Sequence, residues 1–400
     1  MYEGGAVWID DEQPVIESGE GATLRLIHDG RRRKLRPAAP DNNLELAPTS
    51  SNLINLAALA DDSPVLREVL APIRSHTEFT KLFVATKAQA RRPLSRGMAQ
   101  HDDALKDCDV VEEVQFVATA AEMAEVAFAA YYMVWITTFL VAKKNGKGRL
   151  IGDARSINLL QSTPQDMGLP RIHDVIRRTL TFSHAAKTDG VSYFYQFELA
   201  EEIRPYFKVR LAGQRGQVHE RMFKRLPMGW KFSPRIAQQT SNFLVRDCGV
   251  AWLDDFIIGG TSEENFLDNR RLFLERLQRY NVEVDNTTLE PASVIDALGL
   301  QFDLHTKRYR LAPAWVEKRL EGLRGRLRKA REGPTTFRET YEMFGTLIWA
   351  SHVANQPLWE HPEAMEALRH AATTCTGDYD LLHSLPAYAH SDIERWIGEI

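Results

Sequence analysis

Four hundred residues, 44% hydrophobic and 26% charged, exclude wholesale disorder and a fibrous repeat, and the length asks for two or three domains. Fifty Lys and Arg against 54 Asp and Glu leave a formal charge of −4, which taken whole argues against a simple basic nucleic-acid binder. The three cysteines, Cys108, Cys248 and Cys375, lie too far apart for a disulfide framework or a zinc site and suit a reducing compartment. Met1 to Glu20 holds six acids, no Lys or Arg and no apolar stretch, so no secretory leader is expected. Residues 1–75, rich in Gly, Pro, Asp, Asn and Ser, are expected to be a poorly ordered extension. Its basic run from Arg31 to Arg36 suits a solvated segment, a phosphate contact or a nuclear address. Residues 76–130 pattern mostly as helix. Val126 to Ala142 is 17 residues without a charge, but a span wants about 20 predominantly apolar residues, and Tyr131, Tyr132, Thr137 and Thr138 interrupt it. A buried helix running into a buried strand is expected there, and no membrane segment.

From Phe139 the pattern shortens to strands and turns. Phe139 to Ala142, the turn residues Asn145 and Gly146, and Arg149 to Gly152 predict a hairpin edged by Lys143, Lys144, Lys147 and Arg149. A second hairpin spans Gly249 to Gly259, two apolar strands interrupted by Asp254 and Asp255. Thr261-Ser262-Glu263-Glu264 is a capping-box start for a helix with Phe266, Phe273, Leu274 and Leu277 on one face. Leu298 to Phe302 is expected as a further strand. Trp315 to Arg331 is expected as a helix with Val316, Leu320, Leu323 and Leu327 along one stripe. The intermixed strands and helices predict an α+β fold, a sheet with helices packed behind it.

Two carboxylates inside an apolar hairpin are costly unless a cation or a basic side chain sits on them. Asp-Asp alone is common in exposed turns. Three further motifs precede this pair: the basic hairpin running on to Asp153-Ala154-Arg155-Ser156-Ile157-Asn158, the stretch Asp189-Gly190-Val191-Ser192-Tyr193-Phe194-Tyr195-Gln196, and Leu226-Pro227-Met228-Gly229-Trp230-Lys231-Phe232-Ser233-Pro234.

In this order and spacing the motifs resemble the fingers and palm of a retroelement reverse transcriptase, over roughly residues 135–350. Their style is nearest to elements outside the retroviruses, such as the DIRS-like tyrosine-recombinase group. The resemblance implies a right-hand polymerase, with fingers and an antiparallel palm at 76–310 and a helical thumb plus the start of a connection at 311–400. It implies an RNA-directed DNA polymerase using two Mg²⁺ ions, with Mn²⁺ able to substitute. Asp189, Asp254 and Asp255 are then the catalytic metal ligands, with Asp255 either a ligand or a support for one. Glu198 offers a competing frame, Phe197-Glu198-Leu199. The Asp189 frame wins because Phe194 and Gln196 then fall at the family's aromatic and glutamine positions.

The resemblance further implies that Lys144, Arg149, Phe194, Gln196, Met228 and Gly229 bind the dNTP. Phe194 would exclude a 2′-hydroxyl, and Gly229 would let backbone approach nucleotide or template. Trp252, Lys231, Arg324 and Arg328 are expected to contact primer and template. Ordinary core packing is an equally good account of Trp230 and Phe232. The expected partners are an RNA template, a DNA primer and product, and dNTPs, in an intracellular setting, cytoplasmic or nuclear. Three departures stand out: Trp252 where the family has Tyr, Met228 where Gln is common, and no Lys between Asn281 and Gly299 where the family often has one. A decayed polymerase fold that only binds nucleic acid is the alternative, and an RNA polymerase is disfavoured by Phe194. No room is expected after the thumb for a ribonuclease H domain, which a partner or a longer parent chain would supply. Charge distribution agrees with the resemblance. Residues 139–243 hold 18 Lys and Arg against 8 Asp and Glu, and residues 307–331 hold ten against two.

Overall fold

The computed structural model describes residues 5–9, 14–18, 24–28, 31–35, 52–83, 111–113, 136–142, 148–164, 166–212, 218–376 and 378–400. In chain order the elements begin with four strands, β1–β4 (Gly5–Ile9, Pro14–Ser18, Leu24–His28, Arg31–Leu35). Helices α1–α3 follow (Leu56–Asp62, Pro64–Arg74, His76–Thr80), then β5 (Val111–Glu113). Next come β6 and β7 (Thr137–Ala142, Gly148–Asp153), α4 (Arg155–Leu160) and α5 (Ile172–Leu180). β8 (His184–Asp189), β9 and β10 (Lys208–Ala212, Val218–Phe223) and α6 (Ser233–Val245) lead to β11 and β12 (Gly249–Trp252, Asp255–Gly260). After α7 (Glu263–Tyr280) run β13–β15 (Val294–Ala297, Leu300–Asp303, Arg308–Leu311). Helices α8–α11 (Pro313–Glu332, Phe337–Ala354, Pro362–Cys375, Ala387–Glu399) complete the chain. The fold is a mixture of helices and largely antiparallel sheets, as expected.

One compact unit comprises residues 1–168, 191–240 and 278–283. Its β6 and β7 pair antiparallel from Thr137 opposite Asp153 to Ala142 opposite Gly148, the first expected hairpin. Ile136 is 1% exposed and enters the unit beside Val209, which fits the expected buried strand; the helix expected before it lies outside the described residues. β10 is the centre of a second antiparallel sheet between β5 and β9. Phe79, Phe207, Trp230 and Phe232 pack edge-on or tilted at centroid distances of 5.2 to 5.8 Å, so Trp230 and Phe232 are core residues. Residues 56–74 differ from the expected poorly ordered extension. Ser63 caps α2 through the Leu66 amide, Pro64 takes the first turn, and Leu66, Val69, Leu70 and Ile73 bury one face.

The other unit comprises residues 169–190, 241–277 and 284–400. Its central sheet has the order β11-β12-β8, antiparallel throughout. Strand alternation sends Ala185 and Ile257 to one face, against Ile172, Val175 and Ile176 of α5 and the β13–β15 meander. Phe256 goes to the opposite face, 5.4 Å from Phe273 of α7. The α7 start differs in detail from the expected box: Ser262 Oγ accepts from the Asn265 amide, and Asn265 Oδ1 accepts from the Thr261 amide. The expected strand at Leu298 also begins later. Leu298 (φ 55°) and Gly299 (φ 78°) form the two-residue turn of a hairpin, and the strand starts at Leu300.

Helices α8–α11 share a core of Leu323, Leu327, Phe344, Leu347, Ile393 and Trp396. His361 lies flat on Trp396 at 4.5 Å and 8°, and its Nδ1 is 3.2 Å from Asp392 Oδ1. The other Asp392 oxygen accepts from the Ala364 amide at 3.0 Å, and Arg395 donates to Oδ1 at 2.6 Å. Burial would raise this carboxyl, but the Ala364 amide, Arg395 and His361 outweigh it and hold it below its ordinary value of 3.8. Its stabilising contribution is therefore present above pH 3.8 and is lost as pH falls through the lowered value. Asp392→Ala leaves His361 Nδ1 and the Ala364 amide without their carboxylate in the core. It is expected to cost about 3 kcal/mol at neutral pH, read as a lower urea midpoint. Among the described residues no helix is long and apolar enough to cross a membrane.

Candidate active site

The central sheet ends in a cluster of charge. β12 pairs with β8 so that Asp255 faces Asp189 directly, and the two-residue link Leu253-Asp254 turns the chain from β11 into β12. Leu253 takes φ 53°, and its carbonyl accepts from the fully buried Ser241 hydroxyl at 2.5 Å. The Asp254 carbonyl accepts from the Gly190 amide at 2.8 Å, tying the turn to the end of β8. Asp285 fixes Asp189 from the other side. Its Oδ1 accepts from the Asp189 amide and from Thr188 Oγ1, both at 2.9 Å, and its own amide donates to the Asp189 carbonyl at 2.9 Å.

Lys187 precedes Asp189 by two residues on the same strand, so both side chains leave the same face. Its Nζ lies 2.9 Å from Asp255 Oδ1 and 3.1 Å from Asp189 Oδ1. Asp189 Oδ1 is buried and faces the Lys187 ammonium. Burial, then the neighbouring Asp189, pushes the Asp255 carboxyl up to about 6 against the pull of Lys187. Burial alone would lower the Lys187 ammonium, but Asp255 and then Asp189 leave it above its ordinary value. The site therefore holds more carboxylate than its one ammonium balances.

Among the described residues no three His, Cys, Asp or Glu side chains converge as a metal cage. A hard divalent ion such as Mg²⁺ does not need one, because it keeps waters and takes one or two carboxylates plus substrate phosphates. Two converging carboxylates that already share a cationic head, the Lys187 ammonium, fit such an ion.

The other expected site residues divide by unit. Asp189, Asp254, Asp255 and Trp252 belong with the central sheet, and Trp252 packs its ring partly against the core there. Arg324 and Arg328 are exposed on α8, one turn apart and away from buried Leu323 and Leu327. Arg149, Phe194, Gln196, Met228, Gly229 and Lys231 belong to the other unit. Lys144 lies outside the described residues, and Arg149 is described only as the strand partner of Val141. Phe194 is half-buried, whereas its neighbours Tyr193 and Tyr195 are buried.

Four residues expected to face ligands do structural work. Gln196 is fully buried; its Nε2 donates to the Val191 and Glu283 carbonyls at 2.8 and 2.9 Å, and its Oε1 accepts from the Glu283 amide at 2.8 Å. Its polar atoms are thus spent on backbone, not on a nucleotide. Gln196→Leu strands those groups in the core and is expected to lower stability by about 2 to 4 kcal/mol in urea unfolding. Lys231, expected on primer or template, donates its ammonium to the Asn158 and Gln161 carbonyls at the end of α4. Gly229 approaches protein backbone. A Cβ built there would lie 1.9 Å from the Gly152 carbonyl oxygen. Met228 contributes its carbonyl, which accepts from the Gly152 amide at 2.9 Å.

Sequence reasoning passed over Lys187 and Asp285. Strand alternation ahead of Asp189 was the signal for Lys187. Asp285 had none, because its contact joins residues 96 apart.

Comparison with known proteins bears on the same segment. The family described as "Reverse transcriptase (RNA-dependent DNA polymerase)" matches residues 141–301. The Pol polyprotein of Ovine maedi visna related virus (strain South Africa) is 24% identical over 246 residues, covering 58% of this chain and 21% of the polyprotein. The Gag-Pol polyprotein of Bovine immunodeficiency virus (strain R29) is 22% identical over 252 residues, covering 59% of this chain and 16% of that one. The chain thus spans about a fifth of the length of the curated relatives it matches. A solved structure of a foamy viral protease-reverse transcriptase in complex with double-stranded DNA superposes with a TM-score of 0.47 and 12% identity. That superposition covers 94% of this chain and 67% of the other.

Proposed function

We propose that this chain is an RNA-directed DNA polymerase, extending a DNA primer with dNTPs on an RNA template, a reading supported by the match of residues 141–301 to the reverse-transcriptase family. The observation that carries the reading is the Asp189–Asp255 pair, set in register across two strands beside the Asp254 turn. In this reading the β8–β11–β12 sheet is the palm, the β6–β7 hairpin belongs to the fingers, and α8–α11 form the thumb and the start of the connection.

Asp189, Asp254 and Asp255 would hold divalent ions, Mg²⁺ or Mn²⁺. When bound, these ions activate the primer 3′-oxygen and stabilise the departing pyrophosphate. The chain's own part is placement. Asp285 and the Asp254 carbonyl fix the backbone of Asp189 and Gly190, and Ser241 fixes the turn, so the carboxylates meet the reacting groups without reorganisation. Phe194 is the wall against a 2′-hydroxyl. Lys144 and Arg149 clamp the triphosphate, Arg as a planar fork and Lys as a point charge. Arg324 and Arg328 grip the duplex backbone without reading sequence. Gln196 and Lys231 support the loops rather than touch the ligand. The working compartment is intracellular.

Primer extension on an RNA template with Mg²⁺ or Mn²⁺ tests the reading. Template-dependent dNTP incorporation is expected, and its absence under both ions overturns the proposal. Preferential incorporation of rNTPs would remove the role given to Phe194.

A further inference from the structure

Lys187 occupies the place where a cation belongs. Its Nζ stands 2.9 Å from Asp255 Oδ1 and 3.1 Å from Asp189 Oδ1, bridging the two carboxylates that face each other across β8 and β12. Each partner comes from a different strand, so the ammonium holds the strand ends together as a divalent ion would. The three side chains are 30%, 49% and 26% exposed for Lys187, Asp189 and Asp255, so the cluster is partly desolvated yet open to an incoming ion. An ammonium and a divalent ion cannot both take these oxygens at contact distance, since like charges repel steeply where water is partly excluded. The lysine stem is a flexible four-carbon chain, which lets the head swing away without moving the strand.

We propose that Lys187 is a tethered stand-in cation: it keeps Asp189 and Asp255 converged before metal arrives, and a divalent ion must displace it to enter. Lys187 is thus a positioning residue that weakens metal binding to the free protein and ties loading to the arrival of ligand phosphates. The inference rests on Asp189 and Asp255 being metal-holding residues of the proposed polymerase. It predicts that removing the ammonium makes the site more receptive to metal, where a residue needed only for folding would make it less so.

The test is Mn²⁺ titration of the full chain without nucleic acid, following free Mn²⁺ by its paramagnetic resonance signal. Lys187→Met is expected to bind Mn²⁺ about tenfold more tightly than the parent chain, about 1.4 kcal/mol. Lys187→Arg, which keeps a cation, is expected to stay within about twofold. The metal-free melting temperature of Lys187→Met is expected to fall, with saturating Mn²⁺ closing the gap. Should Lys187→Met fold poorly, Lys187→Gln carries the same expectation. Unchanged or weaker Mn²⁺ binding in the uncharged variants, or none in any chain, overturns the proposal. Primer extension by the parent chain is read separately. Extension without tighter Mn²⁺ binding in the variants sinks the stand-in role alone, and tighter binding without extension sinks the polymerase reading alone.

Discussion

Asp189→Asn is expected to leave the chain folded and to cut dNTP incorporation by at least about 10³-fold, roughly 4 kcal/mol of transition-state stabilisation. The change is nearly isosteric and removes one negative charge. The hydrogen bonds that hold this position run through its backbone, to the Asp285 carboxylate and the Asp285 amide, so they survive the substitution. What is lost is carboxylate charge at Asp189 Oδ1, the oxygen that faces the Lys187 ammonium at 3.1 Å in the resting protein. An amide at that place offers a neutral carbonyl, a weaker ligand for a hard ion, and turns a donor toward Lys187. Asp254→Ala is expected to give a loss of the same order, while keeping the carbonyl that accepts from the Gly190 amide. Single-turnover primer extension with matched circular-dichroism spectra and urea midpoints separates chemistry from folding. Either variant retaining more than about a tenth of the parent rate would remove the carboxylates from the chemistry.

The sheet that carries these acids was legible because its signals are local. Two apolar runs around an acid pair give the β11–β12 hairpin, and strand alternation does the rest. Spacing placed Asp189 ahead of Glu198 as the candidate, and the fold puts Asp189 opposite Asp255, whereas Glu198 pairs with Arg204 at 3.2 Å. Contacts that close over long sequence separations were not legible. Asp285 sits in a segment notable in sequence only for lacking a lysine, yet its carboxylate holds the strand end that bears Asp189. Gln196 matched a pattern position, but residue type does not say whether an amide faces a ligand or three backbone groups in the core. Helices α1 and α2 were hidden by the composition around them, although Ser63-Pro64 and the spacing of Leu66, Val69, Leu70 and Ile73 carried the signal.

Gly229 separates two explanations that predict different losses. Read from sequence, a glycine beside a ligand loop leaves room for a nucleotide, and Gly229→Ala should then weaken dNTP binding while leaving stability untouched. The fold supplies another reason. Gly229 has φ 106°, a region that L-residues with a Cβ rarely enter, and the added carbon would lie 1.9 Å from the Gly152 carbonyl oxygen. That oxygen cannot turn aside as a flexible side chain would. The Gly152 amide donates to the Met228 carbonyl at 2.9 Å, and Asn158 Nδ2 donates to the Gly229 carbonyl at 2.8 Å, pinning both chains. Gly229→Ala must therefore open the contact between the 226–232 segment and β7. It is expected to cost at least about 3 kcal/mol in urea unfolding with no nucleotide present. Gly152→Ala provides the contrast. Its Cβ would meet Ile136 Cγ2 at 3.1 Å and the Met228 carbonyl at 3.3 Å, contacts that shifts of a few tenths of an ångström relieve, so a smaller loss is expected. Equal urea midpoints for Gly229→Ala and the parent chain, with only dNTP affinity reduced, would return this glycine to the ligand. Destabilisation in the absence of ligand assigns it to the framework that carries the loop.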